Sequence, residues 1–168
     1  MLKHVKIWYL YLIYVLTHKY YVLIACWKTG IEWRGLVHDL SKFRPREFLP
    51  YSVYFYSTWN GKVRYESKPT NTNSLPYDRA WQSHKNSNKH HWQYWVTIND
   101  KGEVAAIPMP ISSVLEMVCD WYGAGRAQEN PLSTREWFES KKDSLILHTT
   151  TVSRVYWALH ILEERMSS

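Results

Sequence analysis

Residues 36–43 read LVHDLSKF. His38 stands directly before Asp39, and Lys42 follows three residues later, among the apolar Leu36, Val37, Leu40 and Phe43. Adjacent helical positions lie about 100° apart. His38 and Asp39 therefore share no flat face, but they can straddle an ion or grip it together with other helices. For the dipeptide alone, an accidental pair on the polar side of an amphipathic helix is the plainer explanation. The rest of the chain decides between the two.

Bulk properties narrow the choice. A chain of 168 residues fits one domain, 1–168, with a core of useful size. Its 45% hydrophobic and 16% aromatic content excludes a disordered chain. Ten Trp and thirteen Tyr predict helices packed through large amphipathic rings. A net charge of +6, with eight His counted neutral, favours anionic partners such as phosphates or nucleic acid. Cys26 and Cys119 form no spaced set, which argues against a disulfide scaffold and a cysteine zinc site. A reducing, cytoplasmic setting follows from that usage.

Outward from the quoted stretch the chain reads as helices. The N-terminal run predicts a buried helix over 3–28, closed at Gly30. It starts like a signal peptide, yet lacks a small-residue cleavage site. His18 and Lys19 would sit mid-bilayer if it spanned a membrane, at a cost of several kcal/mol, so no membrane is implied. A second helix is predicted over 31–42 and a third over 45–57, opened by Pro45. Residues 58–76 have no apolar period and read as a loop or lid. Helical pattern returns over 77–94, with NSN at 86–88 as a possible break. Residues 95–107 read as a hairpin turning at Asp100 to Gly102. Helices are then predicted over 111–126, 134–143 (capped by Ser133 or Thr134) and 150–165.

Several polar residues fall where such helices bury their surface. His18 interrupts the first helix, His38 and Asp39 the second, and Asp120 lies inside VLEMVCDWYGA. Singly, each reads as a hydrogen-bonded core group. Together on three helices they point to a metal, because a buried Asp without a partner costs several kcal/mol and an ion removes that cost. Glu116, one turn before Asp120, is a candidate ligand, acid/base or surface group. Arg34, four before His38, belongs with Arg44 and Arg46 to a candidate basic rim. Tyr77, Trp81 and Trp92 read as core rings, with base stacking as the alternative. His4, His148 and His160 read as structural or surface groups.

The order His18, then His38-Asp39, then Asp120 resembles the HD superfamily of metal-dependent phosphohydrolases, in which those positions form the first metal site. HDLSK at 38–42 resembles the HDxxK form of its two-metal branches, which include cyclic-dinucleotide phosphodiesterases and mixed-valent di-iron oxygenases. There, further histidines between the HD and the last Asp hold a second metal. HKNSNKHHW supplies His84, His90 and His91 in that interval. HDLSKF, NKHHWQYW and CDWYGA together also resemble a small family of unknown function found in phages and bacteria, over nearly the whole chain; that likeness brings no activity with it.

The second site departs from the pattern. His84 and His91 on one unbroken helix would share a face but stand about 10 Å apart. Either the helix breaks at NSN, with Asn88 capping the next segment, or only one of the two is a ligand. His90 is left with a place behind a ligand, a contact to substrate, or the surface. The resemblance implies an all-α, HD-type helical bundle with a small β-hairpin insertion. It further implies one or two divalent transition metals (Mn, Fe, Co, Ni or Zn) held by His18, His38, Asp39, His84, His91 and Asp120. Asp39 would bridge the metals or orient the water, and Lys42 would meet phosphate. The reading is a hydrolase for a small anionic nucleotide, in the cytoplasm, or the host cytoplasm if phage-encoded. Its rivals are a di-iron oxygenase and a metal-containing nucleotide-binding protein without activity. Nucleic acid ranks last as a partner, and the oligomeric state is open.

Overall fold

The structure, a computed structural model, describes residues 2–56 and 75–167. The predicted loop or lid, 58–76, lies outside the described residues except for Leu75 and Pro76, which open a helix. The elements run α1 (Leu2–Lys28), α2 (Glu32–Val37), a 3-10 turn (Leu40–Phe43), α3 (Pro45–Tyr56) and α4 (Leu75–Ser87). After a second 3-10 turn (Trp92–Trp95) come β1 (Val96–Ile98), β2 (Val104–Ala106), α5 (Ile111–Ala127), α6 (Thr134–Lys141) and α7 (Thr149–Ser167). The fold is all-α with one small antiparallel hairpin, β1 pairing β2 in the register Val96 to Ala106. Asn99 Oδ1 accepts from the backbone of Lys101 and Glu103, and Gly102 adopts φ 80°, so the turn falls where the sequence put it.

α1 is the axis of the bundle, packed by α5, α2 and α3, with α7 backing α5 and α4 backing α3. Its inward stripe is Ile7, Tyr11, Val15, His18, Val22 and Ala25, all buried, at the three- and four-residue steps of one helix face. The stripe joins two cores. Val22, Ala25 and Cys26 meet aliphatic residues of α5 and α7, such as Val114, Val118, Val155 and Leu159. Ile7, Tyr11 and Val15 meet an aromatic set including Tyr51, Tyr56 and Tyr77. His18 sits between the two.

The opposite side of α1 exposes Tyr9, Ile13, Leu16, Tyr20 and Trp27. That is why His4–Lys28 is long and apolar enough, by composition, to cross a membrane. Lys19 instead gives its ammonium to the Leu36 carbonyl at 2.8 Å and the His38 carbonyl at 2.9 Å, at the end of α2. A cation there complements the C-terminal partial charge of the helix.

Two predicted helices are shorter than expected. The helix predicted over 31–42 stops at Val37, and Asp39 turns left-handed with φ 51°. That conformation costs an Asp roughly 1 kcal/mol, and it swings His38 and Asp39 to the same side. The helix predicted over 77–94 ends at Ser87. Asn88 closes it rather than capping the next segment: its side-chain amide and its backbone N–H both donate to the His84 carbonyl. Two glycines set the helix spacing. A Cβ on Gly35 would lie 2.7 Å from Cys26 Cβ, and one on Gly123 would press into Val22, 3.0 Å from its backbone nitrogen. Only glycine lets α2 and α5 approach α1 this closely.

Candidate metal centre

These breaks and close approaches bring the predicted residues together in two groups. The first is His18 from α1, His38 and Asp39 after α2, and Asp120 from α5; the second is Asp39 with His84 at the end of α4 and His90 and His91 in the following loop. Within each group one donor atom per residue lies within 4.8 Å of every other. All are buried except His91 and Asp120, which are partly exposed.

Asp39 belongs to both groups through different oxygens. Its Oδ2 lies 3.5 Å from His38 Nε2, while Oδ1 lies 3.3 Å from His84 Nε2 and 3.4 Å from His90 Nε2. Asp120 Oδ1 lies 3.1 Å from His18 Nε2 and 3.2 Å from His38 Nε2. Lys42 Nζ stands 2.6 Å from Asp39 Oδ2.

The donor set fits a metal. Among the described residues, Nε2 of His18, His84, His90 and His91 and both Asp39 oxygens have no aligned hydrogen bond. Close approach without hydrogen-bond geometry is costly for buried polar atoms, and an ion held by these donors would remove that cost. Imidazole nitrogens with carboxylates suit a divalent transition metal.

Nδ1 of His38, His90 and His84 is held from behind, whereas Nδ1 of His18 has no hydrogen-bond partner among the described residues. Glu116 Oε1 faces Nδ1 of both His38 and His90, each at 3.2 Å, and its Oε2 accepts from Arg34 at 2.7 Å. Glu47 Oε2 lies 2.8 Å from His84 Nδ1 and accepts from Ser41 Oγ at 3.0 Å. A carboxylate on Nδ1 fixes the ring and presents Nε2 to a metal. So Glu116, which also groups with His38 and His90, and Arg34 lie behind the site, whereas His90 stands within it beside His91.

The charges follow from this packing. Burial works against the anions, but His38, Lys42 and His84 hold Asp39 well below the usual carboxylate range. His18 and His38 do the same for Asp120. Burial also opposes the Lys42 ammonium, yet Asp39 and Asp120 raise its pKa well above normal. For His38 the penalty of burial is outweighed by Asp39, Asp120 and Glu116, and its pKa rises. His90 is pushed up to about 10 against burial by Asp39 and Glu116. Burial, with Lys42 nearby, lowers His18, and burial beside His90 takes His91 down to about 3.

The rings resolve as structure. Tyr77 stacks on Tyr54, Trp81 packs on His84 and His91, and Trp92 lies against the aliphatic core. Arg44 and Arg46 are exposed, as is His4. His148 Nδ1 accepts from the Thr150 backbone, and His160 pairs with Glu164. Sequence reasoning passed over Glu47, Ser41 and Lys19. Glu47 sits in the first turn after Pro45, where an acid is ordinary; only its distance from His84 reveals its use.

Fold and donor set define the class: a helical bundle whose buried histidines and carboxylates are grouped so that they could hold metal ions. The chain belongs to the family of unknown function DUF5662, whose model matches residues 8–161. No curated protein and no solved structure matches it.

Proposed function

We propose that this protein is an HD-type, metal-dependent phosphohydrolase acting on a nucleotide or small nucleotide signal in the cytoplasm. The observation that carries the reading is Asp39, one carboxylate directed at two histidine groups with Lys42 beside it. A divalent metal, when bound, lowers the pKa of water towards neutrality and offsets charge on a phosphoryl group. The protein supplies position. Asp39 holds the two groups in register, and the Glu116 and Glu47 carboxylates keep Nε2 of His38, His90 and His84 turned inward. Asp120 and Lys42 retain side-chain exposures of 15% and 14%, against 4% or less for His18, His38, Asp39, His84 and His90, so substrate enters on their side. There Lys42 Nζ trades part of its pairing with Asp39 for a phosphoryl oxygen.

Metal analysis of the purified protein, followed by a phosphate-release screen over nucleotides with Mn, Fe, Co, Ni and Zn, tests the reading. Metal-dependent phosphate release supports it. Iron with optical bands and oxygen uptake, but no phosphate release, would assign the oxygenase chemistry instead. Tight nucleotide binding without turnover would assign a binding protein.

A further inference from the structure

We propose that Tyr11 and Tyr51 complete, with Lys42, a pocket for the oxygens of a phosphoryl group beside the metal centre. The inference rests on the phosphohydrolase reading and adds to it the residues that grip the substrate. Tyr11 lies on α1 two turns before His18, in the same inward stripe, and is 1% exposed. Tyr51 lies on α3 one turn after Glu47, 4% exposed, with its ring edge-on to His84 at 6.2 Å. The two rings are 6.2 Å apart. Neither hydroxyl has a hydrogen-bond partner among the described residues. Burial aside, Lys42 is the charge that acts most strongly on both, and Glu47 acts on both as well. Tyr11 shares its buried stripe with His18 and Tyr51 lies against His84, so both phenols stand between the aromatic core and the metal groups.

A core that needed only the rings would use phenylalanine. Phe48 and Phe55 pack in this same cluster, so phenylalanine is tolerated there. A buried hydroxyl without a partner lowers stability, which makes two of them poor as packing and good as waiting donors. Two neutral O–H donors and an ammonium, fixed before the ligand arrives, suit a tetrahedral oxyanion whose charge spreads over several oxygens.

The test uses the metal-loaded full chain and inorganic phosphate as the probe, with titration calorimetry on wild type, Tyr11→Phe, Tyr51→Phe and the double variant. Each single change should weaken phosphate about fivefold, and the double about 25-fold, as expected from one neutral hydrogen bond apiece. Metal per chain should be unchanged and the melting temperature equal or higher. Tyr54→Phe, outside the pocket, should bind like wild type. Equal phosphate affinity in wild type and the double variant would overturn the pocket while leaving the hydrolase reading intact. Lost metal or a lower melting temperature in the single variants would make the hydroxyls structural and overturn it too, as would a wild type that binds no phosphate. Tyrosine-dependent phosphate binding in a protein that hydrolyses no nucleotide would keep the pocket and remove the hydrolase.

Discussion

The two groups around Asp39 are built from different material. The first lies along the α1–α5 seam: His18 and Asp120 are both in helix interiors, and Gly123, one turn after Asp120, brings the two backbones together. The second hangs on the last turn of α4 and a loop, where Asn88 and Glu47 fix His84 by hydrogen bonds. The first offers two imidazoles and two carboxylates, the second three imidazoles and the shared carboxylate. More negative charge and a stiffer frame should make the first the tighter site. Yet the groups are not independent, because Asp39 joins them in front and Glu116 joins His38 to His90 behind.

The largest effect should come from the residue common to both. Asp39→Ala should empty both groups and reduce turnover at least about a thousandfold, the loss of several kcal/mol of charge stabilisation. His91→Ala should remove only one metal per chain. Elemental analysis and steady-state rates check both. An Asp39→Ala protein that keeps one metal would show that the first group closes without the shared carboxylate.

The carboxylates behind the rings should give a smaller and more discriminating result. Loss of such an orienting group typically costs ten- to a hundredfold in metal affinity. Glu116→Gln should weaken both metals, since its Oε1 serves one histidine of each group. Glu47→Gln should weaken the second alone. Competition with a chromophoric chelator measures each step. Weakening confined to one metal in Glu116→Gln would break the proposed link.

Lys42→Ala should leave metal binding in place. If Lys42 meets the phosphoryl group, one charge-assisted contact of about 1.5–3 kcal/mol predicts a ten- to hundredfold fall in kcat/KM. The fall should grow with the charge of the substrate. Wild-type kinetics would limit the role of Lys42 to its pairing with Asp39.

The unequal construction also explains what could be read in advance. His18, His38, Asp39 and Asp120 stood out because each is polar inside an apolar segment, and for His18 and Asp120 a long helix also fixes which way the residue points. The second group depends on where α4 stops. NSN marked that place, but a three-residue signal does not say which end Asn88 serves. His90 looked peripheral because adjacent helical residues diverge by about 100°; once the chain leaves the helix, that rule no longer holds. The left-handed turn at Asp39 was hidden for a related reason. Lys19, which caps the end of α2 just before that turn, lies 20 residues earlier and on another helix.

The smallest predicted effect is also the one that tests both groups together. Each contains one imidazole already neutral near pH 7, His18 in the first and His91, at about 3, in the second. Each also contains one whose protonated form is favoured, His38 with its raised pKa and His90 at about 10, and these are the two that Glu116 contacts. A metal must displace that proton, so binding should release about one proton per site, and affinity should rise about tenfold per pH unit per site around neutrality. Without metal the sign reverses. His90 has its pKa raised above the ordinary 6.5, so its contribution to folding is complete below that value and is lost as pH climbs through about 10. The metal-free melting temperature should therefore fall between pH 7 and 10, while that of the loaded protein should not. Calorimetry in two buffers of different ionisation enthalpy counts the protons. Metal binding with no proton release would mean that both imidazoles are neutral beforehand, and that Glu116 positions the two rings without holding their charge.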